Sequence, residues 1–211
     1  MERNKRNGTY RCGDVKDRLI TDFHNKCYLC EESDVSSIDI EHFIPHQNQD
    51  LALKFDWNNL FLACSHCNSL KGLRLNLLNC TNPNHQITER IEFYIEPLPF
   101  SQAKIIAVFD DELTKNTVSL LDHIYNYPDS TNNAYNEALN IRKKLILEIL
   151  SFQSLLVQYF YGKGLNQDDK LELSQQIRRK LHPESAFTAF KIWIIKSKQT
   201  FMNEFSQYLP Q

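Results

Sequence analysis

Cys27-Tyr28-Leu29-Cys30, then Asp39-Ile40-Glu41-His42-Phe43-Ile44-Pro45, then Trp57-Asn58-Asn59-Leu60-Phe61-Leu62-Ala63-Cys64-Ser65-His66-Cys67-Asn68-Ser69-Leu70-Lys71-Gly72: this stretch decides the fold. Two Cys-x2-Cys turns bracket it. Each turn can bring two thiolates to one corner of a tetrahedron, the geometry zinc adopts in closed structural sites. One such pair would leave accidental spacing or a redox couple open, whereas two flanking short apolar segments point to a metal. Cys27, Cys30, Cys64 and Cys67 are therefore read as one structural zinc site. Four thiolates leave no coordination position for chemistry.

Between and after the turns the pattern is strand, loop, strand, helix, the order that makes a ββα unit. Ser36–Glu41 alternates apolar and polar residues, as a half-buried strand does, and Pro45 stops it. A loop from Gln47 to Asn58 leads to a second apolar run, Leu60–Ala63. Ser65 opens a helix that closes near Gly72, a usual C-terminal position for glycine.

Outward from this core, residues 1 to about 24 are polar and basic, with a short helix expected around Val15–Phe23. Residues 79–90 read as loop, and Ile91–Ile95 and Lys104–Phe109 as strands with Pro97 and Pro99 between them. From Ala134 the period turns helical: Leu145, Ile149, Phe152, Leu156 and Tyr159 lie on one face. Asp168–Leu181 reads as a second helix, stopped near Pro183. Ser185–Tyr208 reads as a third, with Phe187, Phe190, Ile194, Phe201 and Phe205 on one side. The expected class is α+β, in three parts: a site-bearing core at 1–75, a linker region with short strands at 76–133, and a helical region at 134–211.

Bulk properties restrict the partners. The 211 residues carry 24 Lys plus Arg against 26 Asp plus Glu, a formal net charge of -2. A chain gripping nucleic acid by general electrostatics is usually basic, so any cationic surface must be local or supplied by a partner. No apolar run follows Met1 and none is long enough to span a bilayer, so the expectation is a cytoplasmic, reducing setting with no membrane contact. In such a setting spaced cysteines favour metal over disulfides. Of the six cysteines, Cys12 and Cys80 lack that spacing and are read as free thiols.

The quoted residues resemble the HNH endonuclease family, whose pattern runs acidic-His-x-x-Pro, then Asn-Leu, then Cys-x2-Cys-[His/Asn]-x-x-Lys. The resemblance covers roughly Cys27 to Gly72. It implies a metal-dependent phosphodiester hydrolase with a ββα-metal core. In such an enzyme imidazole takes a proton from water near neutral pH, and a divalent ion stabilises charge on the phosphoryl and leaving oxygens. The resemblance makes His42 the general base, and Glu41 and Asn68 the ligands of a catalytic magnesium or manganese ion. Asn59 would brace the loop and orient His42, and Lys71 would stand near the scissile phosphate as a point charge. The asparagine at 68 resembles the single-metal members and favours magnesium, a hard ion suited to oxygen donors. Adjacent strand residues point to opposite faces, so a bend at the strand end is expected to bring Glu41 and His42 to one phosphate. Asp39 shares Glu41's face as an accessory carboxylate. His46 and His66 read as incidental, with His66 facing solvent.

The helical half carries no second cluster of this kind. Its segment Phe187–Lys198 mixes aromatics with Lys191, Lys196 and Lys198, read as a core helix with its cationic edge in water. A small HNH part followed by a helical half is similar to stand-alone nucleases of bacterial antiphage systems, nearest the nuclease subunit of Septu-type systems. That similarity implies DNA as substrate and an ATPase partner. The competing reading is a non-catalytic zinc module that binds nucleic acid or a protein.

Overall fold

The computed structural model describes residues 10–33, 35, 37–47 and 50–210. Helix α1, Gly13–Asp22, begins the described chain. Strand β1, Ile38–His42, pairs antiparallel with β2, Leu60–Cys64, in the register Ile38↔Cys64, Ile40↔Leu62, His42↔Leu60. Helix α3, Ser65–Lys71, leaves β2 directly and ends at Gly72, whose positive φ of 52° suits a residue without Cβ. The ββα order is therefore present, although Ser36, where the first strand was expected to begin, lies outside the described residues.

The region expected to be loop from Gln47 to Asn58 holds more structure. Asp50 accepts bonds from the backbone N–H groups of Ala52 and Leu53 and so caps a one-turn helix α2, Leu51–Phe55. Asp56 in turn caps a 3₁₀ turn at Trp57–Asn59. These caps are single Asp residues within a polar segment, too local to register in a periodicity argument.

After α3, a short helix α4, Ile87–Arg90, runs into a second hairpin of β3, Ile91–Ile95, and β4, Ala103–Ala107. The stretch expected to be linker also carries a 14-residue helix, α5, Glu112–Tyr125. Its buried stripe is Thr117, Leu120, Leu121 and Ile124. Thr117 interrupts the apolar pattern but is satisfied inside, its hydroxyl donating to Leu113 and accepting from the N–H of Leu78. Helices α6, Asn133–Tyr161, and α7, Gln167–Leu181, follow as expected, α7 opened by a capping box between Asn166 and Asp169. The expected third helix is broken. It consists of α8, Thr188–Lys196, and α9, Gln199–Phe205, parted at Ser197 and Lys198.

One hydrophobic core runs through the zinc-type turns, the second hairpin and the helices. It includes Cys27, Cys67, Phe93, Leu120, Leu145 and Phe190. Polar ties reinforce it. Tyr125 donates its hydroxyl to the carbonyl of Cys30 at 2.7 Å, and Trp193 its ring N–H to Ile91 at 2.8 Å. Buried Lys26 donates to the carbonyls of Pro183 and Ser185 at 2.6 and 2.8 Å. The expected cationic edge of α8 is not in water at Lys191. That ammonium is buried, donates to Glu148 and Ser185, and burial lowers its pKa to about 8. Lys196 likewise pairs with Glu89 at 2.6 Å.

Candidate active site and metal centres

The four spaced cysteines meet. Cys27, Cys30 and Cys67 are wholly buried and Cys64 nearly so, and the four sulfur atoms all lie within 4.8 Å of one another. The helix start explains part of this: Cys64 caps α3, its sulfur accepting from the N–H of Cys67 at 3.4 Å. Burial pushes the Cys67 thiol well up, whereas Cys27, equally buried, is held down by hydrogen bonds from the other three. A shared dication is what allows such a group to ionise together, and four soft donors in a closed pocket fit zinc. Cys12 and Cys80 stand outside the quartet.

Strand alternation organises the rest. Asp39 and Glu41 turn toward α3, while Ile38 and Ile40 pack with Leu19, Leu60 and Leu62 on the side of α1. On the α3 side there are two rungs. Asn68 donates its amide to Asp39 Oδ2 at 3.2 Å, and Ser65 donates its hydroxyl to the same oxygen at 2.9 Å. One helical turn on, Lys71 donates to Glu41 Oε1 at 2.6 Å and to the His42 carbonyl at 2.9 Å. The Lys71 side chain has no exposed surface, and its ammonium is engaged by Glu41 and the His42 carbonyl. Burial raises the pKa of Glu41, with Lys71 opposing that rise.

The His42 ring is on the other side. Pairing of β1 and β2 stays regular as far as His42↔Leu60, so the bend expected to swing His42 round to Glu41 is not found in the strand. Its Nε2 lies 3.1 Å from the carbonyl of Lys54. A carbonyl only accepts, so Nε2 carries the proton and the lone pair is on Nδ1. Lys54 offers this carbonyl because it sits in the last turn of α2, where helix carbonyls lack helical partners. Tyr10 and His46 rings flank His42 at 4.6 and 4.3 Å. Burial lowers the His42 pKa, which favours the neutral ring.

Asn59 locks this corner. Buried at the start of β2, it accepts from Ile44 N–H at 2.7 Å and donates to the Ile44 and Leu53 carbonyls at 2.9 and 3.0 Å. It thereby ties the turn after His42 to the helix that holds the His42 ring. Sequence reasoning missed Tyr10, His46 and the Lys54 carbonyl. Only His46 carries a side-chain signal, as a second imidazole close in sequence. His66 also differs from expectation: its Nε2 meets the Ile124 carbonyl at 3.1 Å and joins α3 to α5.

An open cleft of about 430 Å³ is lined by Arg11, Cys12, Gly13, Lys16, Ile38, Asp39, Ile40 and Asn68. It gives solvent and ligand access to the Asp39–Asn68 rung. A larger groove of about 740 Å³ between α3 and α6 touches none of His42, Glu41, Asn59 or Asn68.

Residues 27–74 match the family model described as HNH endonuclease. No curated protein and no solved structure matches the chain. No described helix is long and apolar enough to cross a membrane.

Proposed function

We propose that the chain is a divalent-metal-dependent endonuclease in which His42 is the general base, Glu41 and the Asn68 amide oxygen hold the catalytic ion, and the four-cysteine site holds zinc. The observation that carries this reading is the setting of His42: its Nε2 is held 3.1 Å from the Lys54 carbonyl, which leaves the lone pair on Nδ1, and burial lowers its pKa. A base must be unprotonated and oriented before it meets water, and Asn59 supplies the rigidity. Magnesium or manganese, when bound, would act as a Lewis acid on the phosphoryl and leaving oxygens. Asn68 adds an oxygen donor without adding negative charge beside a phosphate. Lys71 acts from beneath, fixing the end of β1 through Glu41 and the His42 carbonyl.

The proposed substrate is DNA, and the proposed setting is antiphage defence with an ATPase partner. The match at residues 27–74 supports nucleic acid as the substrate class. The near-balanced charge supports dependence on a partner. Exposed Tyr94, Leu98, Phe100 and Ile106 on the second hairpin offer apolar surface for one.

One observation favours the competing reading, a zinc module without catalysis: the His42 ring and Asn68, on α3, lie on opposite sides of β1. Nicking of supercoiled plasmid in magnesium separates the two. The nuclease reading expects cleavage by the wild type, reduced about 10²–10⁴-fold in His42→Ala, with zinc content unchanged. Equal cleavage by both proteins would remove His42 from the mechanism.

A further inference from the structure

We propose that the chain forms a twofold dimer through the solvent side of α6, two copies of that helix packing antiparallel across Leu147, Leu150, Ser154, Val157 and Tyr161. The inference concerns assembly and does not depend on the nuclease reading.

Helix α6 is 29 residues long and is apolar on two sides. One side, with Leu145, Ile149, Phe152 and Leu156, is buried in the chain's own core. The other is a second stripe, Leu147, Leu150, Val157 and Tyr161, whose members are between 44% and 81% exposed. With exposed Ser154 its intervals run three, four, three, four, the spacing of a seam between paired helices. The solvent side of a surface helix normally carries charge, yet residues 149–162 contain no charged side chain. Hydration alone does not call for such a repeat, whereas a partner helix does.

The stripe is complementary to itself. Turned antiparallel about a twofold axis level with residue 152, it sets Leu147 against Val157 of the second copy and Leu150 against Ser154. The next layer outward sets exposed Lys143 against Tyr161, an ammonium over an aromatic ring, which attract. On one flank half-buried Ile146 meets half-buried Phe160. Ser154 already accepts a hydrogen bond from Gln158 at 3.2 Å, so its hydroxyl enters the seam partnered. A parallel pair would instead put Lys143 on Lys143, two like charges in one layer. Charge therefore selects the antiparallel arrangement. Self-complementarity selects a second copy as the occupant, because a twofold interface uses one patch for both sides.

The test is sedimentation equilibrium of the zinc-loaded full chain at rising concentration. The wild type is expected to pass from the mass of one chain to that of two. Val157→Glu puts a carboxylate opposite Leu147 in two symmetric layers, and is expected to raise the dimer dissociation constant about 100-fold or more. Adding Leu147→Lys to Val157→Glu is expected to restore association, since each new lysine then faces a new glutamate across the seam. Within one chain the two positions are about 15 Å apart along the helix, too far to pair, so rescue reads the interface alone. Melting curves of dilute protein report that the fold is kept. Should Val157→Glu not fold, Leu150→Lys decides by the same loss of association. A wild type that stays one chain at every concentration would overturn the proposal and leave the face to a helix of another protein. Association of Val157→Glu equal to wild type would also overturn it, and a broken Val157→Glu without rescue in the double variant would overturn the antiparallel register.

Discussion

The two ends of the β1–β2 hairpin do opposite things with the same backbone. At the Cys64 end, soft donors are enclosed by core, and Tyr125 and Lys26 bind the adjoining turn to distant helices. At the His42 end an imidazole and the Glu41 carboxylate are fixed by polar contacts, to the Lys54 carbonyl and to Lys71, with Asn59 and a one-turn helix bracing the turn, while the open cleft lies beside Asp39, which pairs with Ala63 next to Cys64. A closed sulfur site suits an ion that stays for the life of the fold. An open oxygen site suits an ion that arrives with substrate. The contrast separates stability from chemistry along a strand pair of five residues each.

That separation can be broken from the stable end first. Cys67→Ser should have the largest effect, because structural zinc contributes on the order of 10 kcal/mol of binding free energy that is also folding free energy. The expected result is loss of zinc and of a cooperative melt by circular dichroism. Next is Lys71→Met, which leaves Glu41 partly buried and unpaired, at a cost of about 3 kcal/mol in urea unfolding. The double variant Lys71→Met with Glu41→Leu should recover most of that loss, and no recovery would mean the pair is not what Lys71 contributes.

Asn59→Ala removes three hydrogen bonds and should cost about 2 kcal/mol. Its cleavage should fall further than its stability, since the turn that holds His42 loosens; a variant as active as wild type would uncouple the two.

The smallest effect is a pH dependence. Burial lowers the folded pKa of His42, so the unfolded chain binds more protons than the folded one in that range. The resulting stability is complete above the unfolded value of about 6.5 and is lost as pH falls through the folded pKa. Urea midpoints of wild type should therefore drop more between pH 7 and 5 than those of His42→Gln. Parallel curves would contradict the buried neutral ring. In cleavage, the acid limb should likewise lie below about pH 6.5.

The motif spacing made the cysteine quartet and the ββα order legible before any coordinates, and it singled out Glu41, His42, Asn59 and Asn68 as candidates. Spacing reports what repeats along the chain, and these signals are local. It does not report depth. Lys71 reads as an ordinary surface cation in sequence, and only the packing of α3 over β1 buries it against Glu41. Helix α5 was hidden because its stripe passes through Thr117, a polar residue whose burial depends on a bond to Leu78 from a different segment. The carbonyl of Lys54 belongs to no motif at all, since a backbone acceptor has no residue type. Asp39 was visible as a same-face neighbour of Glu41, but which of the two is neutralised depends on the register between strand and helix.

The most direct test of the separation is metal accounting during cleavage. The chain is treated with chelator mild enough to leave one bound zinc, then assayed for plasmid nicking as magnesium is returned, with zinc measured at each point. Cleavage that disappears and returns with magnesium while zinc stays constant is the predicted result. Cleavage that persists without magnesium, or that rises and falls with zinc, would contradict it.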